Sequence, residues 1–244
     1  MNKLIRLLGI GLLALLAASP LACNTYNVSV ITPPVNPEVD ESSLYQEMYD
    51  YTMLVIGESG TGSGVAFDGG KKVLTAAHVV SHDEPLFDEN GNIILGDDGY
   101  PKVQAVQELA AVMKGAFLSD TKIIKFDSDL DLAILELEVP WTNGATFTST
   151  VTRFQKCWTS GHPLGVTDTT IIEGRVQSLW DHGFVRYSAL STFGNSGGPV
   201  FVLVDGKPKV FSICQRVYVN FDAVAHLGLG VLPDKMLAFL ELAN

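Results

Sequence analysis

The chain has 244 residues, 47% of them hydrophobic and 18% charged, enough for one large or two small domains with a sizeable core. Its formal net charge of −11 argues against nucleic acid or an anionic membrane surface as the main partner, since both repel an acidic face. Three cysteines are too few for a disulfide framework.

Residues 1–6 carry Lys3 and Arg6, and residues 7–18 have no charged or polar side chain before Ser19 and Pro20 end the run. A short apolar run behind a basic start is the pattern of a signal peptide, not of a spanning helix. Residues 1–22 are therefore expected to be removed and the protein to be exported. Their loss takes two cations and no acid, moving the formal charge from −11 to −13. Leu21-Ala22-Cys23 resembles the lipobox of bacterial lipoproteins, with Pro20 where that pattern normally has Leu. The resemblance implies a lipid on Cys23, anchorage to a bacterial membrane, and a place in the periplasm or cell envelope. Cys157 and Cys214 could pair in an oxidising compartment, but sequence does not show whether their Cα atoms come close enough.

Residues 24–41 contain Pro33, Pro34 and Pro37 and read as an extended tether. Residues 42–50 suit a short helix, with Ser42 as cap and Leu44, Tyr45 and Met48 as its apolar side. Tether and helix together occupy 23–50. From Tyr51 the pattern changes to short apolar runs punctuated by glycine: 52–56, 64–67, 72–75, 122–126, 130–137, 154–159, 171–179, 183–188, 199–204, 210–214 and 227–231. Many short strands with turns between them point to an all-β barrel or sandwich. Residues 233–243 then read as a terminal helix opened by Pro233 or Asp234. Two stretches interrupt the rhythm. Residues 81–99 are rich in acids (Asp83, Glu84, Asp88, Glu89, Asp97, Asp98), and Asn90-Gly91 suits a hairpin turn. The acids do not follow the spacing of a calcium loop, so a solvated insertion is expected, with no metal site. Residues 104–113 carry Val106, Leu109, Ala110 and Met113 at helical spacing.

The chemistry concentrates in three places. Gly194-Asn195-Ser196-Gly197-Gly198-Pro199 sets a serine among glycines, whose backbone freedom can present a hydroxyl and turn N–H groups toward the same point. Acyl transfer needs both a nucleophile and donors for the developing oxyanion. His78 lies just past the apolar run 72–75, beside small Ala76 and Ala77 that permit close approach of another strand. A histidine is the natural base near neutral pH. His82, His162, His182 and His226 compete for that role; His162 and His182 sit in turns, and His82 and His226 have no telling context. Among Asp127, Asp129 and Asp131, only Asp131 is embedded between leucines, where an unpaired acid is costly. His78 is its natural partner, while Asp127 and Asp129 are expected to be solvated.

Thr75-Ala76-Ala77-His78, Asp131-Leu132-Ala133-Ile134-Leu135 and the glycine–serine hexapeptide, in that order, resemble the three signatures of trypsin-like (chymotrypsin-fold) serine proteases. The order His, Asp, Ser is that of chymotrypsin, not of subtilisins or α/β-hydrolases. Gly62-Ser63-Gly64-Val65-Ala66-Phe67, Gly161-His162-Pro163-Leu164-Gly165, and Asn195 in place of the more usual Asp are similar to the bacterial HtrA/Deg branch. The resemblance covers residues 51–244. It implies two six-stranded antiparallel β-barrels, roughly 51–139 and 150–231, with a C-terminal helix and a cleft between the barrels. It implies Ser196 as nucleophile, His78 as general base and then acid, Asp131 as its orienting acid, and the N–H groups of Gly194 and Ser196 as the oxyanion hole. It implies peptide or unfolded-protein substrates and no cofactor.

The chain departs from HtrA proteins in three ways. No PDZ domain is expected after the protease, because too few residues follow it. The interval from His78 to Asp131 is 53 residues, longer than is typical, the acidic insertion filling it. The residue six before the serine is Leu190, so the pocket is expected to take a small or medium apolar residue before the scissile bond rather than Lys or Arg. The strand around Cys214-Gln215-Arg216 supplies the other expected pocket residues, Gln215 and Arg216. A second reading, from another class, is a catalytically idle protein that keeps the fold and captures peptides; the presence of all three chemistry-bearing residues favours the enzyme.

Overall fold

The computed structural model describes residues 40–181, 183–220 and 223–241. The expected signal peptide, the tether and Cys23 lie outside them. A helix α1 (Glu41–Tyr51) opens the described chain. It is followed by β1 (Thr52–Gly57), β2 (Thr61–Phe67), β3 (Lys72–Thr75), β4 (Ser81–Pro85), β5 (Val103–Gln107), β6 (Ala110–Lys114), β7 (Phe117–Asp127) and β8 (Leu132–Leu137). Then come β9 (Lys156–Gly161), β10 (Thr170–Asp181), β11 (Phe184–Tyr187), β12 (Pro199–Val204), β13 (Lys207–Asn220), β14 (Ala223–Val231) and a second helix, α2 (Pro233–Glu241).

Twelve of these strands close into two antiparallel barrels of six. Around the first barrel the order is β1-β2-β3-β8-β7-β6; around the second it is β10-β11-β14-β13-β12-β9. Closure leaves neither sheet with an open edge. The two-stranded sheet β4–β5 stands apart and carries the acidic insertion. Tight turns set the registers. Between β12 and β13, Asp205 (φ 52°) and Gly206 (φ 74°) take the double left-handed conformation of the hairpin turn whose twist matches its strands. That turn fixes Val204 opposite Lys207.

Each barrel has its own filling. Val55, Val73, Val112 and Leu135 lie in the first, and Val176, Val185, Tyr187 and Phe211 in the second. A third cluster joins the barrels, because Leu74, Leu132 and Ile134 of the first pack with Trp158, Phe201 and Ile213 of the second. Both helices seal this seam, α1 through Leu44 and Met48 and α2 through Met236 and Phe239. The Trp158 ring N–H donates to the Tyr45 hydroxyl at 3.1 Å. Fully burying one such side chain is worth about 1.5–3 kcal/mol, so the seam holds the cleft walls at a fixed separation.

Two local expectations are corrected. Residues 104–113 are not a helix. They supply β5 and β6, and Leu109, which a core-facing helix would bury, is 77% exposed. Val112 pairs with Val55 of β1 and Ser119 of β7, so the sixth strand the barrel requires overrides a helical spacing over ten residues. The cap of α1 is Asp40, whose carboxylate accepts from the Ser42 N–H at 3.1 Å; Ser42 itself is already helical. The Asn90-Gly91 turn forms as expected: Asp88 accepts from the N–H groups of Asn90 and Asn92, and Gly91 has φ 81°.

Candidate active site

His78 sits in a single 3-10 turn, Ala77–Val79, immediately after β3. Buried Ala77 and Val79 anchor this turn in the first barrel, while the His78 side chain stays 47% exposed. Asp131 occupies the turn between β7 and β8 with φ 53°, a left-handed conformation for which Asp is among the more tolerant residues. The Asp127 carboxylate holds that turn by accepting from the N–H groups of Asp129 (3.0 Å) and Leu130 (2.8 Å). Asp127 is therefore half-buried in a structural role, and Asp129 is the solvated acid. From the second barrel, the Gln215 side-chain amide donates to the carbonyls of Leu130 and Asp131.

So placed, the Asp131 carboxylate, 17% exposed, meets His78 twice. It accepts from the His78 backbone N–H at 3.0 Å and from Nδ1 at 2.9 and 3.0 Å. With Nδ1 as donor the ring proton is on that nitrogen, and Nε2 is left as an acceptor.

The turn 192–198 carries Ser196. The Asn195 N–H bonds to the Thr192 carbonyl, that of Gly198 to Asn195, and that of Gly197 to Cys214. Two further carbonyls are pinned from outside. Phe193 accepts from the Leu164 N–H at 2.7 Å and Gly194 from the Ser63 hydroxyl at 2.7 Å. In a trans peptide the C=O and N–H point opposite ways. Fixing the Phe193 and Asn195 carbonyls therefore aims the N–H groups of Gly194 and Ser196 away from these partners. Neither N–H has an acceptor among the described residues. Gly194 is required here, because at φ 93° a Cβ would lie 2.4 Å from the His162 carbonyl oxygen.

A cavity of about 630 Å³ opens over this turn. Its walls are Ser59, Gly60, Thr61, His78 and Val79 from the first barrel. The second barrel supplies Ser191, Thr192, Phe193, Gly194, Ser196 and the residues 214–217. His78 and Ser196 thus share one cavity, although no hydrogen bond joins them among the described residues. Gln215 and Arg216 line it as well; the Arg216 guanidinium stacks 5.0 Å from the Phe184 ring centroid. Leu190 does not. Its carbonyl accepts from the Thr159 hydroxyl, and the adjacent Ser191, Thr192 and Phe193 form the wall instead. None of the lining residues is acidic.

The other candidates fall elsewhere. His162 is fully buried, with Nδ1 at 3.0 Å from the Val166 carbonyl, and burial lowers its pKa. His182 and the side chain of His226 lie outside the described residues. Cys157 and Cys214 are both free and buried; burial pushes the Cys157 thiol up to about 12 and raises that of Cys214, leaving both poor nucleophiles. Among the described residues, no three His, Cys, Asp or Glu side chains converge as metal ligands. Sequence reading missed Ser63, whose hydroxyl accepts from the His162 N–H at 2.8 Å while donating to Gly194. Its place in the Gly62-Ser63-Gly64 motif was the available signal.

The sequence profile of the trypsin-like peptidase domain matches residues 62–208. The chain belongs to the trypsin-like peptidase family. A curated relative of this peptidase is Protease Do-like 1, chloroplastic, of Arabidopsis thaliana, 23% identical over 236 residues. That match takes in 91% of the chain, which spans only 52% of the relative's length; it bears out the resemblance to the HtrA/Deg branch. Among solved structures, the inactive form of the Rv3671c protease from M. tuberculosis superposes with a TM-score of 0.61 at 16% identity, over 86% of this chain and 96% of that one. The serine endoprotease from Yersinia pestis superposes with a TM-score of 0.61 at 18% identity, over 83% and 65% respectively. These neighbours share the two-barrel fold of the peptidase.

Proposed function

We propose that the protein is an exported serine endopeptidase that hydrolyses peptide bonds through an acyl-enzyme on Ser196. The observation that carries this reading is the His78–Asp131 pair at 2.9 Å opening onto the same cavity as Ser196. In the proposed cycle the Ser196 hydroxyl attacks the substrate carbonyl carbon while His78 Nε2 takes its proton. Asp131 steadies the imidazolium. The N–H groups of Gly194 and Ser196 receive the oxygen as it becomes negative, each such donor being worth about 10²- to 10³-fold in rate. Collapse expels the amine, which takes the proton from Nε2, and a water molecule then releases the acyl group by the same path.

The absence of any carboxylate among the lining residues, together with Arg216 at the wall, supports a small or medium apolar residue before the scissile bond rather than Lys or Arg. The basic start and apolar run of residues 1–22 support export. The Leu21-Ala22-Cys23 pattern supports a lipid anchor on Cys23 and a place in the periplasm or cell envelope. Among the described residues no helix is long and apolar enough to cross a membrane.

The test is labelling of the purified mature protein with a fluorophosphonate, beside Ser196→Ala and His78→Ala. Wild type should label and both variants should not. Equal labelling of wild type and Ser196→Ala would sink the assignment. A peptide-library digest reads the preference, and cleavage mainly after Lys or Arg would overturn it.

A further inference from the structure

A second cluster of polar side chains lies beside the cleft, outside the His78–Asp131–Ser196 set. The acidic insertion leaves the chain only two residues after the 3-10 turn that carries His78, and it returns at Glu108. Both ends are tied to that turn or its cap: the Ser81 hydroxyl donates to the Ala77 carbonyl at 2.9 Å, and the Glu108 N–H donates at 2.9 Å to the carbonyl of Val80, the residue that closes the turn. The Glu108 side chain is 1% exposed, and a carboxylate so buried is costly unless its oxygens are occupied. They are. Oε2 accepts from the Ser59 N–H at 2.9 Å, and Oε1 accepts from the Ser59 hydroxyl and faces His82 Nδ1 at 2.8 Å. The other ring nitrogen of His82 faces Glu84 of the insertion at 3.2 Å.

Ser59 belongs to the turn between β1 and β2, which is closed by a single backbone bond from the Gly57 N–H to the Gly60 carbonyl. Glu108 adds two bonds at the middle of that turn. Ser59, Gly60 and Thr61 are also the wall that the first barrel gives to the cavity, next to His78 and Val79. On the acyl-transfer reading, the acyl half of a substrate would lie against the proposed oxyanion donors and wall of the second barrel. A leaving amine taking a proton from His78, which the first barrel carries, would then direct the polypeptide beyond it along Ser59, Gly60 and Thr61.

We propose that Glu108 is a positioning residue for the leaving-group side of the cleft, clamping the β1–β2 turn to the base of the insertion so that the wall meeting the departing polypeptide is fixed. This rests on the acyl-transfer reading above. It predicts a separation that a merely structural role would not produce, because a general loss of folded enzyme lowers all activities together.

The test compares two substrates with the same acyl sequence. One is an anilide, with no residues after the scissile bond; the other is an internally quenched peptide with four. Misplacing a substrate-positioning group by about 1 Å costs up to about 100-fold. Glu108→Ala should therefore lower kcat/KM on the extended peptide by about tenfold or more. Anilide hydrolysis and fluorophosphonate labelling should stay within about twofold of wild type. Glu108→Gln, which keeps one acceptor for the Ser59 N–H, should recover part of the loss. His82→Gln leaves the carboxylate and Ser59 in place and is the milder second variant should Glu108→Ala fail to fold; it should show the same separation at smaller size. Parallel losses on both substrates, or no loss on the extended peptide, overturn the proposal. A wild type that neither labels nor cleaves the anilide overturns the acyl-transfer reading first, and this inference with it.

Discussion

Replacing Asp131 with Asn should leave the barrels intact and lower kcat by about 10⁴-fold. The size follows from which atom of the carboxamide faces the ring. In the wild type, Oδ1 accepts from the His78 backbone N–H at 3.0 Å and also lies 3.0 Å from Nδ1, while Oδ2 lies 2.9 Å from Nδ1. A backbone N–H can only donate, so the carboxamide must keep its oxygen at the first position. Its NH2 then stands against Nδ1. A proton kept on Nδ1 would still find Oδ1 at 3.0 Å but would face the NH2 donor against donor, so the imidazole is expected to move its proton to Nε2, the nitrogen proposed to accept from Ser196. A simple weakening of one charge-assisted hydrogen bond would cost about 1.5–3 kcal/mol, or about 10- to 200-fold. The wrong tautomer costs about 5.4 kcal/mol, the equivalent of 10⁴. Turnover of an extended peptide, measured on variant protein whose circular dichroism matches wild type, separates the two. A folded Asn variant that loses less than about 200-fold would refute the tautomer argument and show that Asp131 only strengthens a ring already held by other means.

Three further outcomes follow from the same geometry. Gly194→Ala puts a Cβ 2.4 Å from the His162 carbonyl and 2.6 Å from the Leu164 nitrogen; displacing this proposed oxyanion donor should cost about 10²- to 10³-fold in kcat, with KM little changed, and an unchanged kcat would count against this N–H as a donor. Met48→Ala removes a fully buried side chain of α1 from the seam between the barrels and should cost about 2–5 kcal/mol, read as a lower urea midpoint at unchanged slope; a loss below about 1 kcal/mol would mean the helix is not packed as described. His82 has its pKa raised by hydrogen bonds to Glu84 and Glu108, while the Glu108 pKa is lowered chiefly by its bond from the Ser59 hydroxyl. The His82 contribution to stability is therefore full below its ordinary value of 6.5 and lost as pH rises through the raised value. That of Glu108 is full above 4.5 and lost as pH falls through the lowered value. The melting-temperature gap between wild type and His82→Gln should be widest between these limits and shrink on the alkaline side; a gap that widens there would reverse the assignment.

The sequence by itself determined most of the strands and the three catalytic candidates. Short runs of β-branched and aromatic residues between glycines mark strands wherever they are read, and β3 and β12 begin and end where their apolar runs do. His78, Asp131 and Ser196 were legible because each lies in a local motif whose residue types serve chemistry as well as packing. Asp131 stood out physically: a carboxylate flanked by leucines needs a partner, and His78 supplies it. What lay beyond sequence was decided by pairing between distant segments. The run 104–113 has helical spacing, but a barrel without β6 would leave the edges of β1 and β7 unpaired, and backbone hydrogen bonding across the fold outweighs a weak local period. Leu190 was counted by its distance from Ser196 along the chain, yet the cavity wall falls on its neighbours Ser191, Thr192 and Phe193, a placement set by how the turn folds over β9 and not by spacing. The contact of Glu108 with Ser59 and His82 joins residues 49 and 26 positions apart. No local pattern announces such a contact, since only the closure of the first barrel brings the end of the insertion onto the β1–β2 turn.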